Sequence, residues 1–214
     1  EFDSNGVCNH CLKAERELGS YIYPENDRSE LENMVCRIKD RSAKSSGDYD
    51  CVLGVSGGAD SSYCAYLAKQ YDLKVLLVHM DNGWDTVESV DNIKKIVAAS
   101  GFDLETEVLD WREFRDIQRS FILASVMDIE VPTDHAIKAV IYRLCKKYRC
   151  QTILSGVNRR TEHGVPLKWY WRKLDTRGIK GIHKKFGRMP MRSFPLIGEF
   201  GYRIKEVLGL SVRY

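Results

Sequence analysis

The chain has 214 residues, 43% of them hydrophobic and 29% charged, which suits one sizeable α/β domain with a small appendage and excludes a disordered or fibrous chain. Its 33 basic residues stand against 30 acidic ones, and the net charge of +3 is too mild to call for nucleic acid or an anionic membrane as partner. Seven cysteines scattered through helix-like and strand-like stretches point to a reducing, cytoplasmic setting, and no run approaches the ~20 apolar residues of a membrane span.

Residues 1–47 read as an N-terminal extension. They hold Cys8-Asn9-His10-Cys11, a polar helical stretch from Ser29 to Lys39, and a Ser/Lys/Gly linker from Ser42 to Gly47. Since the chain opens on Glu1, its native start is expected upstream. From residue 48 to 195 strands and helices alternate. Cys51 to Val55 is a short apolar run, read as a buried parallel strand, and Ser61 to Gln70 as a helix. Lys74 to His79 forms a second strand. Val87, Val90, Ile93, Ile96 and Val97 make a helical stripe that Gly101 is placed to end.

Leu104 to Leu109 alternates as a third strand, followed by a helix from Trp111 to about Val126. Pro132-Thr133 signals a further helix start, with Thr133 as first residue. Ile137, Val140, Ile141, Leu144, Cys145 and Tyr148 then line one helical face. Thr152 to Gly156 closes the series as a fourth strand. The pattern predicts a Rossmann-like parallel sheet flanked by helices, with ligands at the carboxyl ends of the strands. Residues 196–214 are expected to begin a helical segment that continues beyond Tyr214.

The strongest chemical signal is Ser56-Gly57-Gly58-Ala59-Asp60-Ser61-Ser62, set between a strand and a helix. Two glycines let the backbone turn tightly and present N–H groups to an anion, and Ser61 and Ser62 add hydroxyls at a helix N-terminus. A plain strand-to-helix turn capped by serine is the alternative. No lysine follows, as a Walker A loop requires, and there is no G-x-G-x-x-G. The pattern S-G-G-x-D-S resembles the PP-loop of the ATP pyrophosphatases, an adenine-nucleotide α-hydrolase-like fold. That resemblance implies a loop that grips pyrophosphate, with Asp60 beside Mg²⁺. His79 and Asp81, in Val78-His79-Met80-Asp81-Asn82-Gly83, would flank the adenosine half. Gly156 lies at the end of the fourth strand, and Glu162 is a candidate second Mg²⁺ ligand. Asp81-Asn82-Gly83 is equally an ordinary turn, and Glu162 a solvated loop carboxylate.

A closer resemblance rests on several segments together. Phe2 to Cys11, Val55 to Ser62, Val78 to Trp84, Asp110 to Asp116, Pro132-Thr133-Asp134-His135-Ala136-Ile137 and Ile182-His183-Lys184-Lys185-Phe186-Gly187 are similar to the N-acetyl sugar amidotransferases. The likeness runs from the first residues to about Pro195. It implies an ATP-dependent enzyme of surface-polysaccharide and lipopolysaccharide pathways that turns an acetamido group on a sugar or sugar nucleotide into an acetamidino group. Ammonia would come from a glutaminase through a cyclase-like partner. The chemistry is coherent: amide resonance protects the carbonyl carbon, and AMP transfer to its oxygen removes that protection. Asp134 and His135, at a helix start, would orient the acetamido group or take a proton from ammonia, and Lys184 would neutralise phosphate charge. Each has a plainer reading: a capping Thr-Asp pair, a satisfied core histidine, a solvated basic helix end at His183-Lys184-Lys185. Trp169-Tyr170-Trp171 is either a sugar-stacking platform or core.

Cys8 and Cys11 are spaced to share one zinc ion, and the resemblance implies a second C-x-x-C upstream; a free-thiol turn is the other reading. Little or no zinc is expected on this chain, and about one ion once the upstream pair is restored. Three rivals share the loop: a tRNA thiolase, an ammonia-dependent synthetase of the NAD or GMP type, and a non-catalytic nucleotide-binding subunit.

Overall fold

The structure, a computed structural model, describes residues 1–19, 28–156 and 172–198. Four parallel strands, β1 (Cys51–Gly54), β2 (Val75–Asp81), β3 (Asp103–Val108) and β4 (Ile153–Leu154), lie in the order β3-β2-β1-β4. The helices are α1 (Asn9–Gly19), α2 (Ser29–Ala43), α3 (Ala59–Gln70), α4 (Val87–Ser100), α5 (Trp111–Leu123), α6 (Val131–Lys147) and α7 (Thr176–Phe186). This is the expected parallel α/β sheet. The chain steps one way from β1 through β2 to β3, then crosses back to place β4 on β1's other side. Its switch point therefore falls between β1 and β4, where open parallel sheets hold ligands.

Strand alternation sets the two faces. Cys51, Leu53, Val75 and Leu77 face one core with Ile93 of α4, Ala65 of α3 and Ile38 of α2. Val52, Leu76 and Val78 face the other, against Val140, Leu144 and Cys145 of α6. Ile38 is fully buried, so α2 packs against the sheet even though residues 1–47 differ in composition from the strand–helix region. Strand β3 is an edge, and its Glu105 and Glu107 pair with Lys147 and Arg143 of α6. Gly101 ends α4 at φ 71°, as expected of a left-handed cap. Among the described residues, no helix is long and apolar enough to cross a membrane.

Several elements depart from the sequence expectations, among them α2, which runs on to Ala43 into the stretch read as linker, and β4, which has two residues where five were expected. A helix, α1, follows directly on Cys8. Helix α5 stops at Leu123, short of Val126. Helix α6 begins at Val131, with Glu130 as its N-cap and Pro132 in its first turn, so Thr133 caps nothing; its Oγ1 is buried without a partner. Packing decides that start, since Val131 is 1% exposed in a third core with Phe114, Ile117, Ala136, Ile179 and Phe194. Pro195 to Gly198 form no helix, and residues 199–214, expected to be helical, lie outside the described residues.

That third core is closed by two buried acids on α5. Glu113 accepts hydrogen bonds from the N–H groups of Arg192, Ser193 and Phe194 and from the Ser193 hydroxyl. Asp116 accepts from the N–H groups of Arg188 (2.8 Å) and Met189 (3.2 Å) and from His183 Nε2 (3.1 Å). Burial pushes both carboxyls up in pKa, but these donors outweigh it and hold each below its ordinary value. Residues 188–194 thus form a strap tied to α5 through main-chain N–H groups. Because both pKa values are depressed, the tie is complete above the ordinary carboxylate range of about 4 and is lost as pH falls through the folded values. Acid should therefore lower the exchange protection of the strap, relative to its intrinsic rate at each pH, before that of the sheet. Glu113→Gln should expose Ser193 and Phe194 to exchange at neutral pH while Arg188 and Met189 keep their protection; uniform exchange across the strap would contradict two separate ties.

Candidate active site: a phosphate loop at the sheet's switch point

The loop leaves β1 at Val55 and enters α3 at Ala59, at the carboxyl edge of the sheet. Gly57 sits at φ +77°, and a methyl group there would lie 2.3 Å from the Ser89 carbonyl oxygen. Only glycine allows that turn and lets α4 close on the loop, an approach that Asn92 Nδ2 reinforces by donating to Gly57 O at 3.1 Å. The first helical bond of α3 runs from Ser62 N–H to Gly58 O at 3.1 Å. The N–H groups of Ala59, Asp60 and Ser61 precede it and need acceptors from outside the helix. Gly156, just past β4, completes the cradle: a methyl there would stand 3.0 Å from Ser61 N and cover that donor.

Ser61 Oγ donates to Gly58 O at 3.2 Å, Ser62 Oγ donates to the same oxygen at 2.7 Å, and Ser56 N donates to Ser61 Oγ at 3.3 Å. These bonds hold the loop in shape. Asp60 is exposed at the start of α3, and its carboxylate makes no hydrogen bond or ion pair among the described residues. A free carboxylate beside unpaired N–H groups and a helix N-terminus suits Mg²⁺ bridged to phosphate oxygens.

His79 is buried at 8% exposure, with Nδ1 3.2 Å from Val55 O and Nε2 3.3 Å from Asp85 Oδ2. Both nitrogens are engaged, so His79 braces the carboxyl end of β1 against the loop after β2. Asp81 Oδ1 accepts from Gly83 N at 2.9 Å, shaping the turn that the sequence offered as one reading. That turn seats Trp84, 63% exposed, with its Nε1 donating to Gln118 Oε1 at 2.8 Å and its ring edge-on to Trp111 at 5.4 Å.

The amidotransferase candidates divide. Ile141 of α6 packs beside Gly54 at the end of β1, and Asp134 lies seven residues, about 10 Å, earlier on the same helix, level with the longer strands β2 and β3. Asp134 Oδ2 pairs with Lys173 Nζ at 2.8 Å, and Lys173 also pairs with Asp128 at 2.7 Å. His135 is fully buried: Ile197 N–H donates to its Nε2 at 3.1 Å, so Nδ1 carries the proton and donates to Lys173 O at 2.8 Å. Burial pushes its pKa down, and the ring packs on Phe194. The satisfied-histidine reading is the one that this geometry meets. Lys184 is exposed on α7 beside a cavity of about 410 Å³, whereas His183 is buried against Asp116.

Cys8 Sγ and Cys11 Sγ lie 3.2 Å apart, and Cys11 N–H donates to Cys8 Sγ at 3.3 Å. That N–H lowers the Cys8 pKa, while the hydrogen bond and charge of Cys8 raise that of Cys11. Among the described residues no group of three or more His, Cys, Asp or Glu side chains is placed to hold a metal, so the pair is two ligands without a third. Glu162 and Trp169-Tyr170-Trp171 lie outside the described residues.

The sequence reading passed over Glu113, Asp116 and Lys173. Two acids three residues apart on the face that carries Phe114 and Ile117 were the available signal, because acids on a buried helix face require fixed partners.

A parallel sheet carrying an S-G-G-x-D-S loop at its switch point defines the PP-loop ATP pyrophosphatase superfamily. Residues 50–162, over half the chain, match the family described as "Queuosine biosynthesis protein QueC", and the chain belongs to that family. No curated protein matches the chain. Solved structures similar in fold include an NH3-dependent NAD synthetase from Campylobacter jejuni, at 18% identity and TM-score 0.48, covering 62% of this chain and 58% of that one. An NMN synthetase from Francisella tularensis is 15% identical at TM-score 0.45, with 59% and 53% covered. A predicted subunit of a tRNA methyltransferase from Methanocaldococcus jannaschii is 19% identical at TM-score 0.36, with 74% and 73% covered. The chain thus spans less than two thirds of the two synthetases, and likenesses at this level say nothing of substrate.

Both glycines can be tested. Gly57→Ala should destabilise the fold by about 1–3 kcal/mol in urea unfolding, through strain and the clash with Ser89. Gly156→Ala, whose methyl meets the Asp60–Ser61 backbone at 3.0 to 3.2 Å, should cost less stability than Gly57→Ala and weaken binding of a non-hydrolysable ATP analogue about tenfold, by covering the Ser61 N–H. Unchanged affinity in Gly156→Ala would remove that N–H from the site.

Proposed function

We propose that the chain is an ATP-dependent amidotransferase that converts an acetamido group of an N-acetylated sugar, free or nucleotide-bound, into an acetamidino group. The acetamido oxygen attacks the α-phosphorus of ATP and expels pyrophosphate; ammonia then attacks the activated carbon and expels AMP. The N–H groups of Ala59, Asp60 and Ser61 hold the departing pyrophosphate, and Gly57 and Gly156 keep the backbones close around it. Mg²⁺, held by the Asp60 carboxylate and phosphate oxygens, would neutralise the charge on the leaving group. Asp134, fixed by Lys173 in the first turn of α6, takes a proton from the attacking ammonia.

One observation carries the sugar reading. The two segments most particular to the sugar amidotransferases, around Asp134 and around Lys184, pack into one core through Ala136, Ile179 and Phe194. That core sits beside the carboxyl edge of the sheet. The exposed, fixed indole of Trp84 supplies a face on which a pyranose ring can stack. Ammonia would come from a glutaminase through a cyclase-like partner in the cytoplasm, and a zinc ion at Cys8 and Cys11 would need further ligands. A second reading follows from the family match: a step of queuosine biosynthesis, whose acceptor is a precursor of that nucleoside rather than a sugar.

The acceptor that triggers AMP release from ATP, Mg²⁺ and ammonium separates these readings. An acetamido sugar should yield AMP, pyrophosphate and a product that cation exchange retains, since an amidine is protonated near neutral pH as Lys and Arg are. Asp60→Asn should lower turnover by at least about a hundredfold with the fold intact. Release of ADP and orthophosphate would overturn the loop assignment. Unchanged sugars alongside turnover of a queuosine precursor would favour the second reading.

A further inference from the structure

Helix α7 and the strap flank an open cavity of about 410 Å³ that shares no lining residue with the phosphate loop. Lys180 and Lys184 stand one helical turn apart on its α7 side, and Arg192 faces them from the strap. Its floor is apolar, made by Met191, Phe194 and Leu196. No acid lines it, and none of the three cations has an ion-pair partner among the described residues. Elsewhere the molecule pairs such charges: Lys147 and Arg143 reach Glu105 and Glu107, and Lys173 bridges two aspartates.

The position of these cations is fixed from beneath. His183, one residue before Lys184, is held by Asp116, and the Arg192 main chain is held by Glu113. The wall bearing Lys180 and Lys184 and the wall bearing Arg192 are thus pinned to the same helix, α5. Of the His183-Lys184-Lys185 run, His183 and Lys184 line the cavity, with His183 Nε2 held by Asp116, whereas Lys185 lies over the Phe186 ring at 5.2 Å. Two lysines and an arginine around an apolar floor match an anionic head joined to an organic body.

We propose that this cavity is a second anion site, separate from the phosphate loop, that takes the phosphate or diphosphate of a small organic ligand. The lysines and Arg192 bind the phosphate oxygens, and Met191, Phe194 and Leu196 receive the adjoining ring. This assignment is independent of whether the acceptor of the reaction is a sugar.

The test is calorimetric titration of pyrophosphate and of uridine diphosphate into the full chain with the phosphate loop saturated by a non-hydrolysable ATP analogue. Residual binding of both is expected, with uridine diphosphate at least as tight as pyrophosphate. Lys180→Gln combined with Arg192→Gln should weaken it about tenfold or more, with affinity for the ATP analogue unchanged. Lys180→Arg alone should retain binding, which controls for folding. Absence of binding to the loop-saturated wild type, or equal binding by the double variant, would overturn the site. Weaker binding of uridine diphosphate than of pyrophosphate would overturn the organic part. A single-stranded RNA oligomer displacing the diphosphate at about a hundredth of its concentration would show a nucleic-acid surface instead.

Discussion

Between β1 and β4 the chain parts. Every strand is parallel, and the helices after β1 and β2 lie on one face while α6 lies on the other, so the phosphate loop meets the end of β4 across a gap at the switch point. The gap is kept narrow by three backbones meeting where side chains would not fit: the loop at Gly57, α4 at Ser89 and the β4 end at Gly156. The unpaired N–H groups of α3 are held there at no further conformational cost when an anion arrives. The inward-turned serines belong to the same arrangement, since a loop shaped by its own hydroxyls is rigid before it meets a ligand.

Much of this was legible in the sequence. The strands β1 and β2 are short apolar runs bounded by polar or glycine residues, and α4 carries both its stripe and its terminating Gly101, so local pattern and final structure agree. The phosphate loop was equally plain, because its chemistry lies in seven consecutive residues. What local pattern could not supply was the direction of single side chains. Whether His135 faces ligand or core depends on Ile197, 62 residues later, and on the carbonyl of Lys173. The start of α6 likewise depends on Val131 joining a core with α7 and the strap.

The two acids of α5 show why such positions resist reading. A buried carboxylate is costly alone, and its sequence signature is only a polar residue on an apolar face. Its partners are N–H groups 72 to 81 residues onward, with no side-chain code of their own. The same feature joins the two halves of the region above the sheet. Through Glu113 and Asp116 one helix positions α7 and the strap together, so the core around Phe194 and the cavity beside it form a single body.

Tying the strap through main-chain N–H groups has a consequence for how this surface can change. The tether reads backbone, not side chains, so apart from the Ser193 hydroxyl and the core-packed Met191 and Phe194 the residues from Arg188 to Phe194 can be exchanged without altering what Glu113 and Asp116 hold. Proline, which has no N–H, is the substitution barred at the five bonded positions. The rim of the cavity is thereby uncoupled from its anchorage. Descendants of this chain can revise the charge or bulk at position 192, and with it the ligand admitted, while the scaffold beneath stays the same.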